Sequence, residues 1–258
     1  MGQLTVSDRD TAYVWVGRDT GGRPGPAVRL LRRAGAALLG RAEAEVVLAH
    51  GPAGNPVVRV AASADPGPVE LPVSVSRAGR VVVVAARAAG PVGVDVEEIR
   101  PLPALALARR WFSPDELAWL AGRPEAGRAA EFLRLWTAKE AVGKALGLGL
   151  RAGGLLRQMP PPVGPGLPLR PLPGGEPLRV GHPELGGGLV LAVAVRAEAG
   201  VDVDVEVVEP AGYGVDVEVV QRAGHDVAAD RSAPVERTSL PVVVRGNASS
   251  RRSTRGRL

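Results

Sequence analysis

Short apolar runs bounded by turn residues dominate the first third of the chain. "AYVWVG" (12–17), "AEVVLA" (44–49), "PVVRVAA" (56–62), "LPVSVS" (71–76) and "RVVVVAARA" (80–88) are separated by Gly, Pro and Asp, and each predicts a strand. One helical segment interrupts them. "PAVRLLRRAGAALLG" (26–40) has Pro near its first turn and Gly at its end, with Arg29, Arg32 and Arg33 giving it a basic side. "VGVDVEEI" (92–99) predicts a further strand, in which Asp95 and Glu97 share one face while Val94 and Val96 turn to the core.

Beyond Arg100 the period becomes helical. "SPDEL" (113–117) has the Ser-x-x-Glu spacing of a capping box with Pro114 at the first helical position, and a longer helix is predicted over 124–147. At 100° per residue, Phe132, Leu135, Trp136, Val142 and Leu146 form one apolar arc, and Lys139 falls inside it. A lysine directed inward requires a buried anion, either a carboxylate or a bound phosphate. Glu140 and Lys144 are i,i+4 neighbours on one helical face. The stretch 160–177 holds eight prolines, which predicts an irregular connection, and "GGGLVLAVAVRAE" (186–198) reads as a closing strand. Irregular alternation of strands and helices indicates an α+β fold. An N-terminal subdomain is expected over 1–90, a C-terminal one over 91–200, and a disordered Arg-rich tail over 201–258.

Composition changes this picture in two places. The 258 residues carry a net charge of +5, yet 237–258 contributes six arginines and no acid, which leaves 26 basic against 27 acidic residues in 1–236. The basicity belongs to the tail, so a nucleic-acid-binding body is not expected. Of 32 basic residues only two are lysines, Lys139 and Lys144, in a chain that otherwise uses Arg. A lysine is a compact point charge where arginine is a wide fork, so the pair marks positions of special demand. There are no cysteines, hence no thiolate metal site. No apolar run approaches 18 residues and the start lacks a basic n-region and an apolar h-region, so a cytoplasmic protein without membrane contact is expected. His50, His182 and His225 read as solvated loop residues, and Trp111, Trp119 and Trp136 as core.

"GVDVE" occurs at 93–97 and again at 214–218, and "VDVDVE" stands at 201–206. Two carboxylates on one strand face repel unless a cation lies between them, which is how a hard, oxygen-ligated Mg²⁺ site begins. For an isolated copy the plainer reading is an edge strand with a solvated acidic face, and that reading is taken for 203–206 and 214–218.

The copy at 93–97 is set apart by the residues downstream of it. "VGVD", then 40 residues, then "WTAKEAVGK" resembles the signature of the 4′-phosphopantetheinyl transferases: Gly-(Val/Ile)-Asp, a spacer of about forty, and Trp-(Ser/Thr)-x-Lys-Glu-(Ala/Ser)-x-x-Lys. Only 42 residues come after Asp216 and none is Trp or Lys, so the later copy fails the same test. "RRWFSPDELAWL" (109–120), "LPVSVSRAG" (71–79) and "HGPAGNPVV" (50–58) are similar to further family blocks, and together these cover about 25–198 in the order of the larger, surfactin-synthetase-activating (Sfp-type) class.

The resemblance implies two similar α/β subdomains related by pseudo-twofold symmetry, in a monomeric enzyme with coenzyme A and Mg²⁺ at their interface. It implies transfer of 4′-phosphopantetheine from coenzyme A to a serine of an acyl or peptidyl carrier protein of fatty-acid, polyketide or nonribosomal-peptide synthesis. Asp95, Glu97 and Glu140 would hold Mg²⁺, Glu140 would act as base, Lys144 would bind phosphates, and Lys139 would support the same charge cluster or orient the base. Ser76, Arg77, Arg32, Asn55 and Lys144 would contact coenzyme A. Arg77 stands where the family commonly has a His at the 3′-phosphate, and Asn55 where the Gly-Lys-Pro block has Lys. The alternative from another class is a non-catalytic module binding coenzyme A or a carrier protein.

Overall fold

The computed structural model describes residues 10–51, 54–60, 69–150, 154–164, 166, 168–198 and 200–208. The early apolar runs form strands β1 (Thr11–Arg18), β2 (Val46–His50), β3 (Pro56–Val60), β4 (Val69–Ala78) and β5 (Val81–Ala86). Helix α1 (Pro26–Leu39) lies between the first two, with Pro26 in its first turn and Gly40 closing it in the left-handed conformation. β6 (Val92–Glu98) begins the second half, followed by α2 (Ala104–Trp111), α3 (Pro114–Ala121) and α4 (Arg128–Ala145). The short strands β7 (Arg170–Pro171) and β8 (Leu178–Gly181), then β9 (Leu189–Arg196) and β10 (Asp202–Val207), complete the order.

Two sheets result, one ordered β10-β1-β5-β4-β3-β2 and one ordered β6-β9-β8-β7. β10 runs parallel to β1, and the other neighbours are antiparallel. Alternation along the strands divides the core. Val14, Val16, Val83 and Ala85 of the first sheet meet Val94, Val96, Leu191 and Val193 of the second in one apolar layer. The opposite face of the first sheet packs on α1 through Trp15, Leu30 and Leu31, and that of the second packs on the helices through Val190, Ala192, Phe132 and Leu135. The α+β class expected from the sequence is found.

Two boundaries differ from expectation. The proline-rich stretch contributes β7 and leads into β8, because Leu172, Leu178 and Val180 have an apolar layer to enter. Residues 202–207, expected within the tail, form a strand, because Val203 and Val205 are buried between the sheets while the register sets Asp204 beside Tyr13. The plainer reading of "VDVDVE" as an acidic edge strand therefore holds. The copy at 214–218 and the Arg-rich segment lie outside the described residues.

Candidate active site

β6 is an edge strand, so its outward backbone groups need partners other than a neighbouring strand. Side chains provide them. Ser74 and Ser76 of β4 face the second sheet, and their hydroxyl oxygens accept the N–H groups of Val94 at 3.0 Å and Val96 at 3.3 Å. Lys144 of α4 donates to the Val94 carbonyl at 3.0 Å.

The reach of Lys144 depends on two glycines. A Cβ on Gly93 would lie 1.9 Å from the Ala141 carbonyl oxygen, so only glycine lets α4 lie directly on β6. A Cβ on Gly143 would lie 2.0 Å from the Gly149 oxygen, and the Gly143 carbonyl accepts Leu148 N–H at 2.9 Å and Gly149 N–H at 3.0 Å. That turn closes the helix directly after Lys144.

The close approach assembles a charge cluster. Lys144 Nζ lies 2.7 Å from Asp95 Oδ1, and the Ser76 hydroxyl donates to the same oxygen at 2.7 Å. Asp95 is buried, and that burial raises its carboxyl pKa against the opposing pull of Lys144 and Ser76, with Glu97 pushing it further up. Glu140, one turn before Lys144, also has a raised pKa, from burial first and then from the negative charges of Asp95 and Glu97, with Lys144 opposing. Glu97, half-buried, accepts a hydrogen bond from Arg100 at 2.8 Å. Two sequence blocks 40 residues apart thus converge on one group of three mutually repelling carboxylates and one ammonium.

A model of the 4′-phosphopantetheinyl transferase superfamily matches residues 91–162, the stretch that contains both blocks. The 4′-phosphopantetheinyl transferase psf-1 of Bacillus pumilus is 45% identical over 71 residues, covering 28% of this chain and 30% of that protein. The transferase gsp of Aneurinibacillus migulanus is 35% identical over 68 residues, 26% of this chain and 28% of its own length. A 4′-phosphopantetheinyl transferase of Bacillus subtilis is 34% identical over 77 residues, 30% and 34% respectively. The chain spans about a third of the length of the curated relatives it matches.

Lys139 requires a correction. It was expected at the charge cluster, but it points into a separate buried site. Its Nζ bonds Glu116 Oε1 at 2.8 Å and Oε2 at 2.9 Å, donates to the Arg157 carbonyl at 2.6 Å, and lies 5.0 Å over the Phe112 ring. Burial lowers its pKa, while Glu116 holds it up. Glu116 is the capping-box residue of α3, bonded by Ser113 N–H at 3.0 Å, and it also accepts Met159 N–H at 2.9 Å. The inward lysine has found its anion, and the anion is a carboxylate. The capping box was visible in the sequence; that its glutamate also serves Lys139 was not, although a chain with two lysines and one inward-facing one gave a signal that such a partner exists.

The residues expected at coenzyme A divide. Ser76 is buried with its hydroxyl turned onto Asp95. Arg77, the next residue on β4, and Arg32 on α1 are exposed, and neither has an ion pair or side-chain hydrogen bond among the described residues. Arg33 is committed to Glu206 of β10. Asn55 stands at the start of β3 and accepts Gly51 N–H through its backbone oxygen at 2.8 Å. His182 is a second correction: it is part-buried, its Nε2–H donates to the Arg134 carbonyl at 2.8 Å, and burial pushes its pKa down to about 4. His50 is exposed at the end of β2, and His225 lies outside the described residues. Trp111, Trp119 and Trp136 pack partly buried against the helical core.

Asp95, Glu97 and Glu140 do not form a ready cage; no group of three His, Asp or Glu with metal-ligand geometry exists among the described residues. The donor set nevertheless fits a hard cation. The bonds of Asp95 to Ser76 and Lys144 both go to Oδ1, leaving Oδ2 without a bond among the described residues, and beyond the effect of burial the negative charge of Glu97 raises the pKa of Asp95, and those of Asp95 and Glu97 raise that of Glu140. Mg²⁺ is commonly held by one or two carboxylates with waters and substrate phosphates, which asks less of the protein than a closed cage.

Proposed function

We propose that this protein transfers the 4′-phosphopantetheine arm of coenzyme A onto a serine hydroxyl of an acyl or peptidyl carrier protein. The observation that carries the proposal is the contact of Asp95 with Lys144, which joins the strand block to the helix block beside Glu140. The reaction needs no protein nucleophile, since the attacking oxygen comes from the carrier. That oxygen attacks the β-phosphorus of the pyrophosphate, the bond from this phosphorus to the bridging oxygen breaks, and adenosine 3′,5′-bisphosphate leaves.

In this reading Glu140 accepts the serine proton, directly or through a water, and its raised pKa suits it to do so. Lys144 offers its ammonium to the phosphate oxygens. Asp95, Glu97 and Glu140 would hold Mg²⁺, which when bound supplies charge neutralisation at the pyrophosphate. Arg32 and Arg77 are exposed cations suited to the 3′-phosphate, where a guanidinium can bind bidentately, and Asn55 falls beside the nucleotide. The enzyme is taken as a cytoplasmic monomer of two subdomains, 1–90 and 91–200, with pseudo-twofold symmetry. No helix among the described residues is long and apolar enough to cross a membrane.

Intact-mass spectrometry of an apo carrier protein, incubated with this protein, coenzyme A and Mg²⁺, tests the proposal. A phosphopantetheine-sized gain, lost with Glu140→Gln and with EDTA, is expected. No gain on several acyl and peptidyl carriers, with coenzyme A binding intact, overturns it in favour of a non-catalytic binding module.

A further inference from the structure

Ser74 and Ser76 occupy alternate positions of β4, both buried and both facing β6. Each hydroxyl oxygen accepts one outward N–H of the edge strand, so the pair braces one sheet against the other where no backbone ladder joins them. They differ in where the hydroxyl proton goes. Ser76 donates to Asp95 Oδ1 at 2.7 Å, the oxygen that Lys144 also bonds at 2.7 Å, while among the described residues Ser74 bonds no side-chain acceptor.

A carboxylate on a strand rotates about its terminal torsion over a broad range unless something holds it. The Val96 N–H, bonded to the Ser76 oxygen, orients the hydroxyl so that its proton points away from that donor and toward Asp95. Lys144 is anchored in turn by the Val94 carbonyl. Oδ1 is therefore fixed from two sides by groups themselves fixed by the β6 backbone, and Oδ2 is the oxygen left for a cation.

We infer that Ser76 is a positioning residue for the metal site, its hydroxyl holding the Asp95 carboxylate so that Oδ2 is presented to the divalent cation. This rests on the reading of Asp95 as a metal ligand. Ser74 shares the brace without touching the carboxylate, so it separates positioning from bracing.

The test is a titration of Mn²⁺ into the full chain with coenzyme A, following the electron paramagnetic resonance signal of free Mn²⁺ against a coenzyme A blank. Ser76→Ala should weaken Mn²⁺ binding by about 10- to 100-fold, the usual effect of removing a hydrogen-bond partner of a ligand. Ser76→Thr, which keeps the hydroxyl, should restore most of it. Ser74→Ala should lower the unfolding midpoint to a similar degree as Ser76→Ala and leave Mn²⁺ affinity within about 2-fold of the native protein. Equal affinities in the native protein and Ser76→Ala overturn the inference alone. Equal losses in Ser74→Ala and Ser76→Ala overturn it too, by making bracing the cause. Absence of Mn²⁺ binding by the native protein overturns the metal reading and this role with it.

Discussion

Lys139 and Glu116 face each other 2.8 Å apart in the helical core, almost wholly shielded from water, while the neighbouring Glu140 and Lys144 point to the charge cluster on β6. One helix thus carries two charge systems on different faces. The first ties α3, α4 and the segment 157–159 together; the second belongs to the candidate active site.

Breaking the first system leaves a buried, unpaired charge. Lys139→Met or Glu116→Gln should each destabilise the protein by about 3–5 kcal/mol, and the double variant Lys139→Met/Glu116→Gln by clearly less than the sum. Urea unfolding measures this. Additive losses in the double variant would show that the two residues act separately.

The contact between β6 and α4 depends on the missing side chain at Gly93. Gly93→Ala places a methyl group 1.9 Å from the Ala141 carbonyl oxygen and 2.6 Å from Ala145 N, both backbone atoms that cannot swing away. Stability should fall by about 1–3 kcal/mol or more as the helix is pushed off the strand. Thermal unfolding with an unchanged midpoint would contradict this.

His182 gives a pH dependence with a definite sign. Its ring is neutral in the fold down to about pH 4, while in the unfolded chain it takes a proton near its ordinary value of 6.5. Between these values the unfolded chain binds more protons, so the contribution of His182 is complete above pH 6.5 and falls as pH drops toward 4. The slope is at most about 1.4 kcal/mol per pH unit, and less for a part-buried ring. Urea midpoints between pH 7 and 4.5 should fall more steeply in the native protein than in His182→Gln. Parallel slopes would remove His182 as a cause.

β10 is tested by its two faces. Val205→Asp puts a carboxylate between the sheets and should cost several kcal/mol. Glu206→Ala removes an exposed pair with Arg33 and should change stability by no more than about 1 kcal/mol. Similar effects from both substitutions would place the strand outside the core.

What the sequence determined by itself is local or motif-borne. The period of two puts Val94 and Val96 inward and Asp95 and Glu97 together; Ser113 with Glu116 marks the start of α3; Pro26 and Gly40 bound α1. The spacing of "VGVD" and "WTAKEAVGK" separated one copy of "VDVE" from the others. Only the tertiary structure decided which anion Lys139 meets, that the Ser76 hydroxyl turns to Asp95, that His182 is part-buried, and that residues 202–207 pair with β1. Each joins residues 19 or more positions apart, up to about 190 for β1 and β10, and neither periodicity nor propensity encodes which distant partner a side chain will find. Burial in the core sets that choice, by leaving every polar atom it encloses with few partners within reach.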